Sequence, residues 1–137
     1  MLKLTHVTEP RDEPYGVLVL SYAQRRARGL CAHLKSGEEV ELALPRETAL
    51  HAGDFLRSED GKTVRIVAAT EDVLRADFAN PLALARAAYA LGVRDVPVQV
   101  EDGWLLTLPD AATRALLEVL GARVRADHSS FEPERRI

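Results

Sequence analysis

From Tyr15 to about Ala69 the apolar positions favour a period of two, broken by turn residues. Tyr15–Leu20 (YGVLVL) reads as a buried strand, and Val40–Leu44 alternates as V-E-L-A-L. Gly37 interrupts ahead of that run and Pro45 ends it, while Asp60–Gly61 separates Asp54–Leu56 from Val64–Val67. An Asp-Gly pair between apolar runs is a hairpin signal, so this half reads as an all-β unit of about five or six short strands. The second half changes period. Val73–Phe78 reads as a strand, and Asn80–Pro81 supplies a helix cap followed by proline at the first helical position. The spacing predicts a helix from Leu82 to about Leu91, with Leu84, Ala88 and Leu91 inward and Gly92 as its left-handed stop. Val96–Val100 and Trp104–Leu108 form a hairpin across Glu101–Asp102–Gly103. A second helix opens at a T-x-x-D capping box, Thr107–Asp110, carries Ala112, Leu116 and Val119 at i, i+4 and i+7 with Leu117 and Leu120 beside them, and stops at Gly121. Arg123–Ala126 is a last short strand, and the tail Ser129–Ile137 is polar and expected to fray.

The predicted class is therefore α+β. A small all-β domain over residues 1–70 precedes a ferredoxin-like βαββαβ domain over 71–137, with an exposed join near Thr70–Arg75.

Composition adds mainly exclusions. The chain has 137 residues, 47% hydrophobic and 28% charged, enough for one good core or two small ones. Its 18 Lys+Arg against 21 Asp+Glu leave a net charge of -3, which gives no general pull toward nucleic acid or an anionic membrane. The one basic cluster, Arg25, Arg26 and Arg28, is too short for a polybasic segment. No apolar run approaches the roughly 18 residues needed to span a bilayer, and the N-terminal MLKLTHVTEPRDE holds no signal-peptide core. With a single cysteine, Cys31, the expectation is a reducing, cytoplasmic setting. Cys31 lies between Leu30 and Ala32 and is expected to be a buried, inert thiol.

Chemistry-bearing motifs are sparse. There is no G-x-S-x-G, no P-loop and no G-x-G-x-x-G, so no enzyme is expected. The histidines His6, His33, His51 and His128 include no H-x-H and no i, i+4 pair. His51 reads as a solvated loop residue. His128 precedes Phe131–Glu134 and weighs as either a metal ligand or an exposed tail residue. Trp104 at a strand start reads as core or interface packing.

Several fragments in order resemble one family. Ala85–Val100 (ARAAYALGVRDVPVQV) is similar to the AYHLGNRHVP signature of UreE-type urease accessory proteins, which are nickel metallochaperones. Leu44–Leu56 (LPRETALHAGDFL), Asp110, the helix ending Leu120–Gly121, and Phe131–Glu134 (FEPE) continue the likeness. The resemblance implies a homodimer with an N-terminal β domain for peptide or partner binding. Its ferredoxin-like C-terminal domain would hold Ni(II) through a histidine from each subunit at the dimer axis. It also implies urease apoprotein and other urease accessory proteins as partners, with no nucleic acid and no membrane.

The likeness departs at the metal positions. Asp95 stands where the resemblance implies the shared histidine, Ala90 at a second one, and Ala111 where an Asp-His pair opens the helix. Asp110 of that pair is present, and no histidine follows His128. Asp95, His128 and Asp110 are thus the candidate metal residues. Nickel(II) prefers imidazole nitrogen, and carboxylate suits harder ions. Two aspartates across an axis would bind nickel weakly, or repel each other without it; alternatively Arg94 neutralises Asp95. Two functions follow: nickel delivery during urease maturation, or a dimeric interaction module that has lost specific nickel binding and only docks partners.

Overall fold

A computed structural model describes residues 1–27, 29–45 and 48–135. Arg28 of the arginine cluster, Arg46 and Glu47 of the LPRE segment, and Arg136 and Ile137 of the tail lie outside the described residues. The chain divides into two compact units, Met1–Ala69 and Thr70–Ile137. Thr70–Asp77 is strand throughout, so the exposed join expected near Thr70–Arg75 is replaced by the single residue Ala69 between two strands.

The first unit is a six-stranded sheet ordered β2-β6-β5-β1-β4-β3. Its strands are β1 (Leu2–Thr8), β2 (Gly16–Leu20), β3 (Cys31–His33), β4 (Glu39–Leu42), β5 (Phe55–Ser58) and β6 (Thr63–Ala68). Pairs β1–β4 and β2–β6 are parallel and the rest antiparallel. Just after β3 the Lys35 amide donates to the Val17 carbonyl of β2 at 2.8 Å, so the two edges approach and the sheet nearly closes. Closure removes edges that would otherwise template aggregation. A Cβ at Gly16 would meet Leu34 Cδ1 at 2.7 Å, so any side chain there would make the Leu34 side chain shift. Leu4, Leu18, Leu20, Val40, Leu56, Val64 and Ile66 fill the interior. The Asp60–Gly61 hairpin joins β5 to β6 with Gly61 at φ 89.

A short helix, α1 (Tyr22–Arg26), follows β2 under a full capping box. Ser21 accepts from the Gln24 amide, and the Gln24 side chain accepts from the Ser21 amide. Arg25 is buried and donates to the Leu20 carbonyl at 2.8 Å.

The second unit runs β7 (Thr70–Asp77), α2 (Pro81–Val93), β8 (Gln99–Val100), β9 (Trp104–Thr107), α3 (Ala111–Val119) and β10 (Arg123–Ser130). Its antiparallel sheet, ordered β10-β7-β9-β8, is the ferredoxin-like arrangement. Ala76, Leu84, Ala87, Leu91, Val98, Leu105 and Leu117 form its core.

Three sequence expectations change here. Helix α2 continues through Gly92, and its left-handed residue is Asp95 at φ 58. The Asp95 amide donates to Gly92 O at 3.1 Å and the Val96 amide to Leu91 O at 3.0 Å, a Schellman closure. Helix α3 is capped by Asp110 alone, because Thr107 belongs to β9. It buries Thr113 and Leu117 and packs Leu116 and Leu120 against the core as expected, but leaves Val119 83% exposed, so only that end of the expected stripe turns outward.

The third concerns the tail, which does not fray over its described length. Phe131 is fully buried, and the Glu132 amide donates to Gln99 Oε1 at 2.8 Å. The Glu134 amide donates to Val98 O at 2.7 Å, and Glu134 Oε1 accepts from the Val100 amide at 2.9 Å. The four residues FEPE thus carry the chain from the β10 edge to the β8 edge. The tail's polar composition hid a strap held by an aromatic anchor and by hydrogen bonds to the Val98–Val100 segment.

Candidate functional site

The register of the second sheet places the start of β8 and the ends of β9 and β10 beside the beginning of β7. Asp95 just ahead of β8, Asp110 just after β9, and His128 near the end of β10 therefore share one end of that sheet. They do not share one point, because β10 and β8 are its opposite edges.

Each of the three has its own local reason to be where it is. Asp95 sits at the left-handed position closing α2, a conformation that Asp and His tolerate better than β-branched residues. Beside it, Arg94 Nη1 donates to the Ala90 carbonyl at 3.0 Å, which places a cation at the negative end of the helix. Asp110 Oδ2 accepts from both the Thr113 amide and Thr113 Oγ1, each at 2.8 Å. The Thr113 hydroxyl, with the amide second, holds the Asp110 carboxyl below its ordinary value of 3.8. His128 lies within β10, directly across from Asp72, and its Nδ1 is 3.1 Å from Asp72 Oδ1. Both side chains are exposed, so the pair is a weak, solvent-screened contact.

Among the described residues, no three His, Cys, Asp or Glu side chains converge as a metal-holding group. In a single copy the three candidate residues, two carboxylates and one imidazole, are spread over separate elements. Nickel(II) favours several nitrogen donors at one point.

The other histidines are distributed over the first unit. His6 Nε2 accepts from Arg57 Nε at 2.8 Å, and its Nδ1 lies 2.9 Å from Thr5 Oγ1. His51 is half-buried in its loop, with Nδ1 3.7 Å from Asp54 Oδ2, and not simply solvated. His33 is exposed on β3. Cys31, expected to be buried, is exposed at the start of the same strand, because β3 is an edge and its odd positions face outward.

The face of α2 away from the core carries Leu82, Tyr89 and Val93 in the open, with Tyr89 76% exposed. Spaced at i, i+7 and i+11, they lie on one side of the helix. Trp104 is half-buried under the Arg75 guanidinium, 4.0 Å from its ring, and Asp77 holds that arginine at 3.1 Å. No helix among the described residues is long and apolar enough to cross a membrane.

Comparison with known proteins accounts for both units. Residues 2–69 match the family described as UreE urease accessory protein, N-terminal domain, and residues 71–136 match its C-terminal domain. A urease accessory protein UreE of Janthinobacterium sp. (strain Marseille) is 40% identical over 134 residues, covering 98% of this chain and 79% of the relative. That of Nitrosospira multiformis is 41% identical, covering 98% and 76%. That of Burkholderia orbicola is 45% identical over 117 residues, covering 85% of this chain and 57% of the relative, so the chain spans little more than half of that protein. With both units matched in order and most of the chain aligned, this protein belongs to the UreE urease accessory protein family.

Proposed function

We propose that this chain assists nickel delivery to urease during maturation of the urease active site, by binding the ion and handing it over without catalysis. The observation that carries the reading is the match of both units, in order, to the two domains of one urease accessory family. In this reading two copies associate through the second unit, with Leu91–Pro97 near the two-fold axis. The exposed Leu82, Tyr89 and Val93 on α2 support such an association, since apolar side chains of this size gain by leaving water. Asp95 of each copy then supplies the central contact to the ion. His128 and Asp110, at the same sheet end, are the next donors, although Asp110 Oδ2 is already committed to capping α3. The first unit docks a peptide or partner. The partners are urease apoprotein and other urease accessory proteins, and the setting is the cytoplasm.

A carboxylate at the central position makes nickel binding weak and poorly selective compared with an imidazole pair. Asp95, Ala90 and Ala111 at the positions where histidines were expected also favour a second reading, a dimeric module that docks partners without specific nickel binding. Complementation separates the two. In a urease-producing host lacking its own family member, nickel delivery predicts restored urease activity at limiting nickel, and more with Asp95→His. Co-purification with urease accessory proteins without any restored activity would leave the second reading standing. Neither activity nor association would remove both.

A further inference from the structure

Strand β10 is one edge of the second sheet, paired with β7 from Arg123 to Ser130 without a register break, and none of its residues is buried. The β8 edge is covered by the strap, whose Glu134 bonds Val98 and Val100. The β10 edge is different. In an antiparallel ladder alternate residues point their N–H and C=O at the neighbouring strand, and the residues between point them away. Arg114 Nη2 donates to the Val124 carbonyl at 3.3 Å, the His128 amide donates to Asp127 Oδ1 at 2.8 Å, and Ser129 Oγ donates to the Ser130 carbonyl at 3.0 Å. The even-numbered residues are therefore the outward set, and Ala126 in their middle turns its amide and carbonyl away from β7.

We propose that this edge is an interaction surface for a second copy of the chain, with β10 pairing β10 antiparallel about a two-fold axis at Ala126. A long open edge is a template for another strand, and here the charges choose both partner and register. With Ala126 on the axis, outward residues bond outward residues, Val124 with His128, as the ladder requires. Arg125 of each copy then stands opposite Asp127 of the other. Directly opposite Cβ atoms lie about 4.5–5.5 Å apart, where unlike charges attract and like charges repel. The neighbouring registers that keep the outward set paired are penalised. An axis at Arg125 sets arginine against arginine, an axis at Asp127 sets aspartate against aspartate, and an axis at Val124 sets Arg123 against Arg125. Within one copy, Arg125 already faces Arg75 across the ladder, and Arg75 is paired with Asp77 at 3.1 Å. A carboxylate arriving from beyond the edge relieves that like-charge contact. The small, exposed Ala126 puts no bulk at the axis. The contact uses neither the exposed side of α2 nor Asp95, so it stands apart from the association proposed there.

Sedimentation velocity on the full chain at rising concentration tests the pairing. The edge contact is short and polar, hence weak, so the expected result is a further rise in mass well above micromolar concentration, whether the micromolar mass is one chain or two. Arg125→Asp and Asp127→Arg each set like charges opposite one another on both sides of the axis. Either variant should need about tenfold or more protein for the same rise. Mixed in equal amounts the two variants should recover it, because each supplies the charge the other has lost. Both remain acidic overall, so recovery on mixing reports register and not net charge. No further rise in the native chain, a rise unchanged in either single variant, or no recovery on mixing would overturn the proposal. Circular dichroism confirms that these surface variants fold. The micromolar mass alone tests the association through α2, so the two proposals fail separately.

Discussion

Asp95 holds a backbone conformation that most residues avoid. At φ 58 a β-branched side chain crowds its own backbone at a cost of about 1–2 kcal/mol, whereas glycine meets no such penalty. Asp95→Val should therefore lower the free energy of unfolding by about 1–2 kcal/mol, and Asp95→Gly should not; urea denaturation distinguishes them. His is tolerated there as Asp is, so Asp95→His can test metal chemistry without a large backbone cost. Asp110 offers a pH-dependent counterpart. Its carboxyl is held below the ordinary 3.8 by the Thr113 hydroxyl and amide. A depressed folded value means stability that is present above the ordinary carboxylate range and lost as pH falls through the folded value. Asp110→Ala should thus unfold more easily than the native chain at neutral pH. That gap should narrow below about pH 4, the ordinary Asp range. A gap that stays constant down to pH 2, by the same denaturation assay, would show that the charge on the cap is irrelevant.

At the scale of elements, the strap is the least anticipated feature. Phe131 is fully buried between the end of β10 and the bonds to β8, so Phe131→Ala should cost about 3–5 kcal/mol. Thermal unfolding checks this, and a loss near zero would restore the frayed tail that its composition suggests. The sequence made the hairpins, both main helices and the βαββαβ order readable, because each rests on local periodicity and turn chemistry. It hid β1, the strand flanked by β4 and β5. A register shift between Leu4 and His6 breaks its alternation, and its partners lie far along the chain. Helix α1 has only five residues, too few to show a period, although S-x-x-Q at Ser21–Gln24 was a legible cap. Gly92 read as a helix stop because glycine usually fills the left-handed site; here Asp95 fills it three residues later. The candidate metal residues were legible only as positions. The separation of Asp95 from His128 at opposite edges of the sheet depends on strand order, which periodicity does not encode.

For the whole molecule, the proposal requires two chains. Light scattering at micromolar concentration should give the mass of a dimer, and Tyr89→Glu, which puts charge on the exposed apolar side of α2, should shift it toward one chain. A single-chain mass for the native protein would remove the shared site altogether. If the dimer forms, nickel affinity at its axis is set by what Asp95 can offer. Titration calorimetry with nickel(II), run at one pH on the native chain and on Asp95→His, tests this most directly. The account predicts weak binding with aspartate and binding about tenfold or more tighter with histidine, because imidazole is the better donor and removes carboxylate repulsion across the axis. Tight binding by the aspartate chain that survives Asp95→Ala, or no gain from Asp95→His, would contradict it.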